Sequence, residues 1–124
     1  MQRAILRLNR STKNNEKSKM VIKALVFLID GNEESEVVIT VDTLRRAGIE
    51  CILAGVNDAQ PVTCVQHLRI LPDIELSRLE NEDFDIIVVP GGPGSERFTE
   101  FDILKRILKR HVEMNKLICA ICAG

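Results

Sequence analysis

"VIKALVFLIDGNEESE", residues Val21–Glu36, decides the fold. Its first ten residues form an almost unbroken apolar run, rich in branched side chains. The run falls well short of the ~18 residues that a membrane span needs. It suits a central parallel strand, which is buried on both faces and so cannot alternate apolar with polar. Gly31 then turns the chain, and Asn32 reads as a helix cap. Glu33 and Glu34 fall in the first helical turn, where the helix dipole favours anions. The helix continues through "VVITVDTLRRA", and Gly48 supplies its stop.

The same rhythm repeats downstream. "IECILAG" (49–55) reads as a second strand, and "PVTC" with "QHLRIL" as a short hairpin. "PDIELSRLENED" reads as a short helix or turn region, and "FDIIVVP" (84–90) as another buried strand. "GGPGSERF" is a glycine-rich loop. "TEFDILKRILKRHVEMN" is amphipathic, with Phe101, Leu104, Ile107, Leu108 and Val112 on one stripe and Lys105, Arg106, Lys109 and Arg110 off it. "KLICAI" (116–121) is the last strand, read as buried. Strands alternating with helices predict an α/β class with a largely parallel sheet. In such sheets ligands bind beyond the carboxyl ends of the strands. "DGNEESE", "PGGPGS" and "CAG" all fall at that edge.

The chain has 124 residues, enough for one ordinary domain, and 45% are apolar, enough to bury a core. With no Trp or Tyr and four Phe, stacking on nucleic-acid bases is not expected. The net charge of −1 is unevenly spread. Residues 1–20 carry six Lys or Arg and one acid, which leaves the remainder at −6 and argues against a nucleic-acid partner. That basic start reads as a disordered tail, with Met20 as an alternative beginning; its Arg spacing and lack of acids also fit a mitochondrial targeting peptide. Residues 21–124 then form the folded portion. Four cysteines without a secretory signal favour free thiols.

Among the candidate chemical groups, Cys122 stands at a strand-to-helix corner among small neighbours, Ala120, Ala123 and Gly124. A cysteine reacts as thiolate, and helix-start N–H groups at such a corner favour that form; a buried structural cysteine remains the alternative. Cys119 and Cys122 spell C-A-I-C, but Cys119 sits inside the strand and no second pair at ligand spacing accompanies them, so neither a redox pair nor a metal site is expected. Cys51 reads as strand packing and Cys64 as a partly exposed thiol. Glu36 reads first as a solvated helix-start glutamate. It could assist Cys122 only as a protonated donor, because an ionised carboxylate would repel the thiolate. "PGGPGS" matches neither dinucleotide nor P-loop patterns, and fits close packing or an oxyanion site equally well. His111 reads as a surface residue and His67 as part of the hairpin, so no Cys–His pair is visible.

Taken together, "ALVFLIDGNEESE", "VDTLRRAGI", "DIIVVPGGPGS" and "LICAICAG" resemble the ThiJ/PfpI superfamily, in its branch of parkinsonism-associated protein deglycases. The resemblance covers residues 22–124. It implies a flavodoxin-like three-layer α/β sandwich with a mostly parallel sheet, and a homodimer. It makes Cys122 the nucleophilic, oxidisable cysteine and Glu36 its hydrogen-bond partner and proton carrier. Gly92 and Ala123 become the N–H donors of an oxyanion site. The implied substrates are small 2-oxoaldehydes such as methylglyoxal, or early glycation adducts on proteins, with no cofactor and no metal. A redox-sensor or chaperone role through Cys122 oxidation is the alternative. The expected location is the cytoplasm, with the nucleus or mitochondrion as further compartments. Two departures are Ser35 in place of an apolar residue and Asn32 in place of a small one. The family continues beyond Gly124 with a helix behind the elbow, a histidine near the cysteine and further strands. The domain is therefore expected to be incomplete at the C-terminus, and the chain alone poorly soluble and inactive.

Overall fold

The computed structural model describes residues 20–124. The tail reading of residues 1–20 therefore lies, apart from Met20, outside the described residues. Strand β1 (Lys23–Leu28) leads into helix α1 (Glu34–Arg46) and strand β2 (Glu50–Gly55). Strands β3 (Val62–Thr63), β4 (Arg69–Ile70) and β5 (Ile74–Glu75) follow, then a 3-10 segment at Leu76–Leu79 and strand β6 (Ile86–Val89). A second 3-10 segment (Pro93–Glu100), helix α2 (Asp102–Glu113) and strand β7 (Leu117–Ala120) complete the order.

Five strands form one parallel sheet in the order β5-β2-β1-β6-β7, and β3 with β4 forms a separate antiparallel ribbon. β1 lies between β2 and β6 with every residue from Ala24 to Leu28 fully buried. Its alternate side chains serve different layers. Ala24, Val26 and Leu28 pack with Val37 and Val41 of α1, whereas Leu25 and Phe27 pack with Phe98 and with Leu104 and Ile107 of α2. This is why the run Ala24–Ile29 has no polar interruption: both faces of the strand are covered by helix. Each buried Val, Leu, Ile or Phe side chain among them contributes roughly 1.5–3 kcal/mol over leaving it in water. The result is the expected three-layer α/β sandwich with a parallel sheet.

Several local expectations change. The hairpin forms as β3–β4, but "PDIELSRLENED" also contributes β5, a two-residue edge strand on β2. In α2 the buried positions are Leu104, Ile107 and His111, while Val112 is 63% exposed. At about 100° per residue, His111 falls in the middle of the inward stripe and Val112 at its rim. His111 is thus buried rather than on the surface; one ring nitrogen, Nε2, lies 2.8 Å from the Leu117 carbonyl and ties α2 to the start of β7. β7 is the edge strand and is half-exposed, with Leu117 56% accessible and its two middle residues only partly buried, so it is not the buried strand that its composition suggested.

Candidate functional site

The order β5-β2-β1-β6-β7 has its topological switch between β1 and β6, where the chain leaves β1 first toward β2 and later returns on the other side. The loops after β1 and β6 meet there. Gly31 takes φ 83°, a left-handed turn that glycine adopts freely. The helix cap is Glu33, not Asn32: the Glu33 carboxylate accepts from the Ser35 N–H at 3.4 Å and from the Ser35 hydroxyl at 2.9 Å. Asn32 is instead completely buried. Its Oδ1 accepts from Ile29 N at 2.7 Å, and its Nδ2 donates to Gly91 O at 2.9 Å and to Pro90 O at 3.4 Å. A side chain so fully committed beneath the turn is not free to cap the helix above it.

Glu36 follows one turn into α1 and is half-buried. Its Oε2 accepts from the Gly91 N–H at 2.8 Å. A methyl group at Gly91 would lie 2.8 Å from that same oxygen, 2.8 Å from Cys122 Cβ and 2.7 Å from Ala123 N. The carboxylate, the cysteine and the elbow amide therefore border one methyl-sized space, and only glycine leaves it open. Cys122 is exposed and holds φ 57°. A non-glycine residue in the left-handed region costs on the order of 1 kcal/mol or more, and such outliers cluster at functional sites. The structure brings Glu36, Cys122 and Ala123 together. Among the described residues, however, no hydrogen bond joins Glu36 to Cys122; the partner of Oε2 is the Gly91 N–H.

Gly92 sits one residue aside, with φ 94°, packed against the Gly31–Glu33 turn. Among the described residues neither the Gly92 nor the Ala123 N–H has a hydrogen-bond partner, which leaves both as available donors. Sequence reasoning passed over Gly91 because nothing in "PGGPGS" separates its two leading glycines; only the fold shows which one faces the cysteine. It also passed over Ser95, which is buried and whose hydroxyl donates to Ala123 O at 2.9 Å.

The remaining thiols and histidines stand apart from this corner. Cys119 is half-buried within β7 and Cys51 buried within β2. Cys64 is buried as well, not partly exposed as its hairpin position suggested, because it packs under α1 with Val37 and Val62. Burial pushes its thiol up to about 11, helped by the negative charges of Glu34, Asp30 and Glu33. Burial also pushes the Glu34 carboxyl up, but N–H donors from Glu34 itself, Gln66 and Leu68, and the nearby His67, outweigh it and hold the group below its ordinary 4.5. His67 takes φ 68° at the tip of the β3–β4 turn and is exposed. Among the described residues no cluster of three or more His, Cys, Asp or Glu could hold a metal ion, and no helix is long and apolar enough to cross a membrane.

Comparison with known proteins places the chain in a family. The family profile described as DJ-1/PfpI family matches residues 22–124. A Caenorhabditis elegans protein named glutathione-independent glyoxalase DJR-1.2 is 44% identical over 92 residues, which cover 74% of this chain and 49% of the worm protein. The Drosophila melanogaster protein dj-1beta is 42% identical over 102 residues, covering 82% of this chain and 54% of the fly protein. The crystal structure of Drosophila DJ-1beta superposes with a TM-score of 0.82 at 40% identity, over 84% of this chain and 56% of that one. Oxidized Toxoplasma gondii DJ-1 gives 0.80 at 42% identity, covering 82% of this chain and 56% of that one. The chain thus spans about half the length of the relatives it matches. With the parallel sheet and the profile match in agreement, this chain belongs to the DJ-1/PfpI family.

Proposed function

We propose that residues 21–124 carry the nucleophile corner of a cysteine-dependent glyoxalase or protein deglycase acting on 2-oxoaldehydes or early glycation adducts. The observation that carries this reading is the convergence of Glu36 Oε2, Cys122 Cβ and Ala123 N on the space in front of Gly91. The relative named glutathione-independent glyoxalase supports the reaction class. Cys122 Sγ adds to the aldehyde carbon of methylglyoxal, forming a C–S bond as the carbonyl electron pair moves onto oxygen. In this reading the Gly92 and Ala123 N–H groups, which have no hydrogen-bond partner among the described residues, donate to that developing oxyanion. Glu36, protonated at the outset, gives its proton to that oxyanion. It then takes the proton from the former aldehyde carbon and returns it to the neighbouring carbon while the hydroxyl proton passes from the first oxygen to the second, giving a 2-hydroxy thioester. Water hydrolyses the thioester, releasing lactate and the thiol. A homodimer is the assembly proposed for the full-length protein.

The test uses methylglyoxal without glutathione. Lactate formation, with a methylglyoxal adduct on Cys122 seen by mass spectrometry, is expected. Cys122→Ser is expected to abolish both. Glu36→Gln is expected to retain the adduct and lose turnover. An adduct that forms as readily on Cys119 as on Cys122 would sink the assignment.

A second reading has its own support. Cys122 is exposed at a strained residue, and one structural relative is described as oxidized. A redox sensor would carry Cys122 to sulfinate at the expense of two peroxide molecules, each reduced to water. Mild peroxide followed by peptide mass spectrometry distinguishes it: a stable gain of two oxygens on Cys122, with no lactate formed from methylglyoxal, favours the sensor.

A further inference from the structure

The corner is assembled from three segments distant in sequence: the turn after β1, the loop after β6 and the elbow after β7. Two buried polar side chains span the gaps between them. Asn32, fully buried, reaches from the first to the second: its Nδ2 donates to Pro90 O and Gly91 O while its Oδ1 accepts from Ile29 N. Ser95, 6% exposed, reaches from the second to the third through its hydroxyl to Ala123 O at 2.9 Å. We infer that Asn32 and Ser95 are positioning residues for Cys122, holding the Gly91 and Ala123 backbone in the register on which the reacting corner depends. The inference rests on the reading of Cys122 as the reacting atom.

The physical case begins with orientation. Asn32 meets one N–H on one side and two carbonyls on the other, so its amide fits in only one sense. The Gly91 peptide oxygen accepts from Asn32 Nδ2 and also from Glu33 N at 3.0 Å. On its other side Gly91 N–H donates to Glu36. Gly91 is therefore gripped at both polar atoms by the start of α1, and Asn32 sets where that grip holds it. At the far end, Ser95 fixes the carbonyl of the same residue whose N–H is a free donor beside Cys122. A displacement of about 1 Å in such a frame can cost about 100-fold in rate. An aliphatic side chain at 32 would fill the space but leave Ile29 N and Pro90 O unpaired and Gly91 O with Glu33 N alone.

The test reads Cys122 directly, through its rate of alkylation by iodoacetamide across the neutral to alkaline range. Labelling is followed on the Cys122 peptide of the full chain, alongside its methylglyoxal adduct. Ser95→Ala removes one hydroxyl and leaves the volume nearly unchanged. Asn32→Asp keeps the acceptor for Ile29 N but sets an oxygen against the Pro90 and Gly91 carbonyls. Leu79→Ala, in the core away from the corner, controls for loss of stability alone. Each corner variant is expected to slow Cys122 labelling about tenfold while the protein stays folded, and Leu79→Ala is expected to leave it unchanged. If Asn32→Asp does not fold, Ser95→Ala decides. Labelling of Ser95→Ala at or above the wild-type rate, or equal slowing in Leu79→Ala, overturns the inference. A wild-type Cys122 no more reactive than free cysteine, with no methylglyoxal adduct, sinks the reading of that thiol and the inference with it. A reactive wild type with unaltered variants sinks the inference alone.

Discussion

Cys64 and Cys122 are both cysteines beside the acidic turn that follows β1, and they have opposite surroundings. Cys64 lies under α1, 3% exposed, with Glu34, Asp30 and Glu33 close enough to oppose a negative charge on it. Cys122 stands exposed on a left-handed residue, its Cβ against Gly91 and the free Ala123 N–H next in sequence. Carboxylates are near both. At Cys64 they add to burial in opposing a negative charge on the sulfur, whereas Cys122 is exposed to water. A thiol's chemistry is thus set less by its neighbours' identities than by whether water reaches the sulfur.

The largest effect expected from this contrast is in labelling. A thiol pushed from 9.0 to about 11 has roughly 100-fold less thiolate at neutral pH than an ordinary one, and burial slows it further. Iodoacetamide at neutral pH should therefore reach Cys122 at least ~100-fold sooner than Cys64. Comparable rates in peptide mass spectrometry would break the comparison. Next comes Gly91→Ala. Its methyl would crowd Cys122 Cβ, Glu36 Oε2 and Ala123 N together. Overpacking of this kind costs about 1–3 kcal/mol, and Cys122 labelling should fall at least about tenfold while Cys64 stays protected. Unchanged Cys122 labelling would mean that Gly91 does not shape the site.

Much of this contrast was legible in the sequence, and the unread part has a common cause. The run Ala24–Ile29 announced a strand covered on both faces, and the chain order placed "GNEESE", "PGG" and "CAG" at one edge. Pattern does not reveal which small or polar side chain bridges segments far apart in the chain. Asn32 looked like a cap because capping is local and Asn is suited to it, yet two of its three partners are 58 and 59 residues away. Cys64 looked exposed because two-residue strands carry no clear period, and only the packing of α1 over the ribbon buries it. His111 was judged by its charged neighbours, although its phase on the helix pointed inward. Local chemistry is readable from spacing, but burial produced by tertiary contact is not.

A smaller effect is expected in alkaline solution. The Cys64 thiol binds its proton more tightly in the folded protein than its ordinary 9.0 in the unfolded chain. Above pH 9 the unfolded state therefore loses its proton first and binds fewer protons than the native state. Stability contributed by this group is present below pH 9 and declines as pH rises from 9 toward about 11. Urea melts across that range should show the decline, and Cys64→Ala should flatten it. An unaltered alkaline slope in the variant would place Cys64 in water after all.

The smallest effect concerns the acid beside that thiol. Glu34 Oε1 accepts from Gln66 N at 2.7 Å, while its Oε2 is buried without a partner among the described residues. Its carboxyl lies below 4.5 in the folded state, so the unfolded state takes up a proton first as pH falls. Its contribution is present above pH 4.5 and is lost as pH drops through the lowered folded value. Glu34→Gln should remove that acid-side loss. It should also ease the alkaline one, since the Glu34 charge is the second cause of the Cys64 shift after burial. The two slopes should therefore move together in one variant. Movement of the acid limb alone would mean that the Glu34 charge does not reach the sulfur, and that burial by itself separates Cys64 from Cys122.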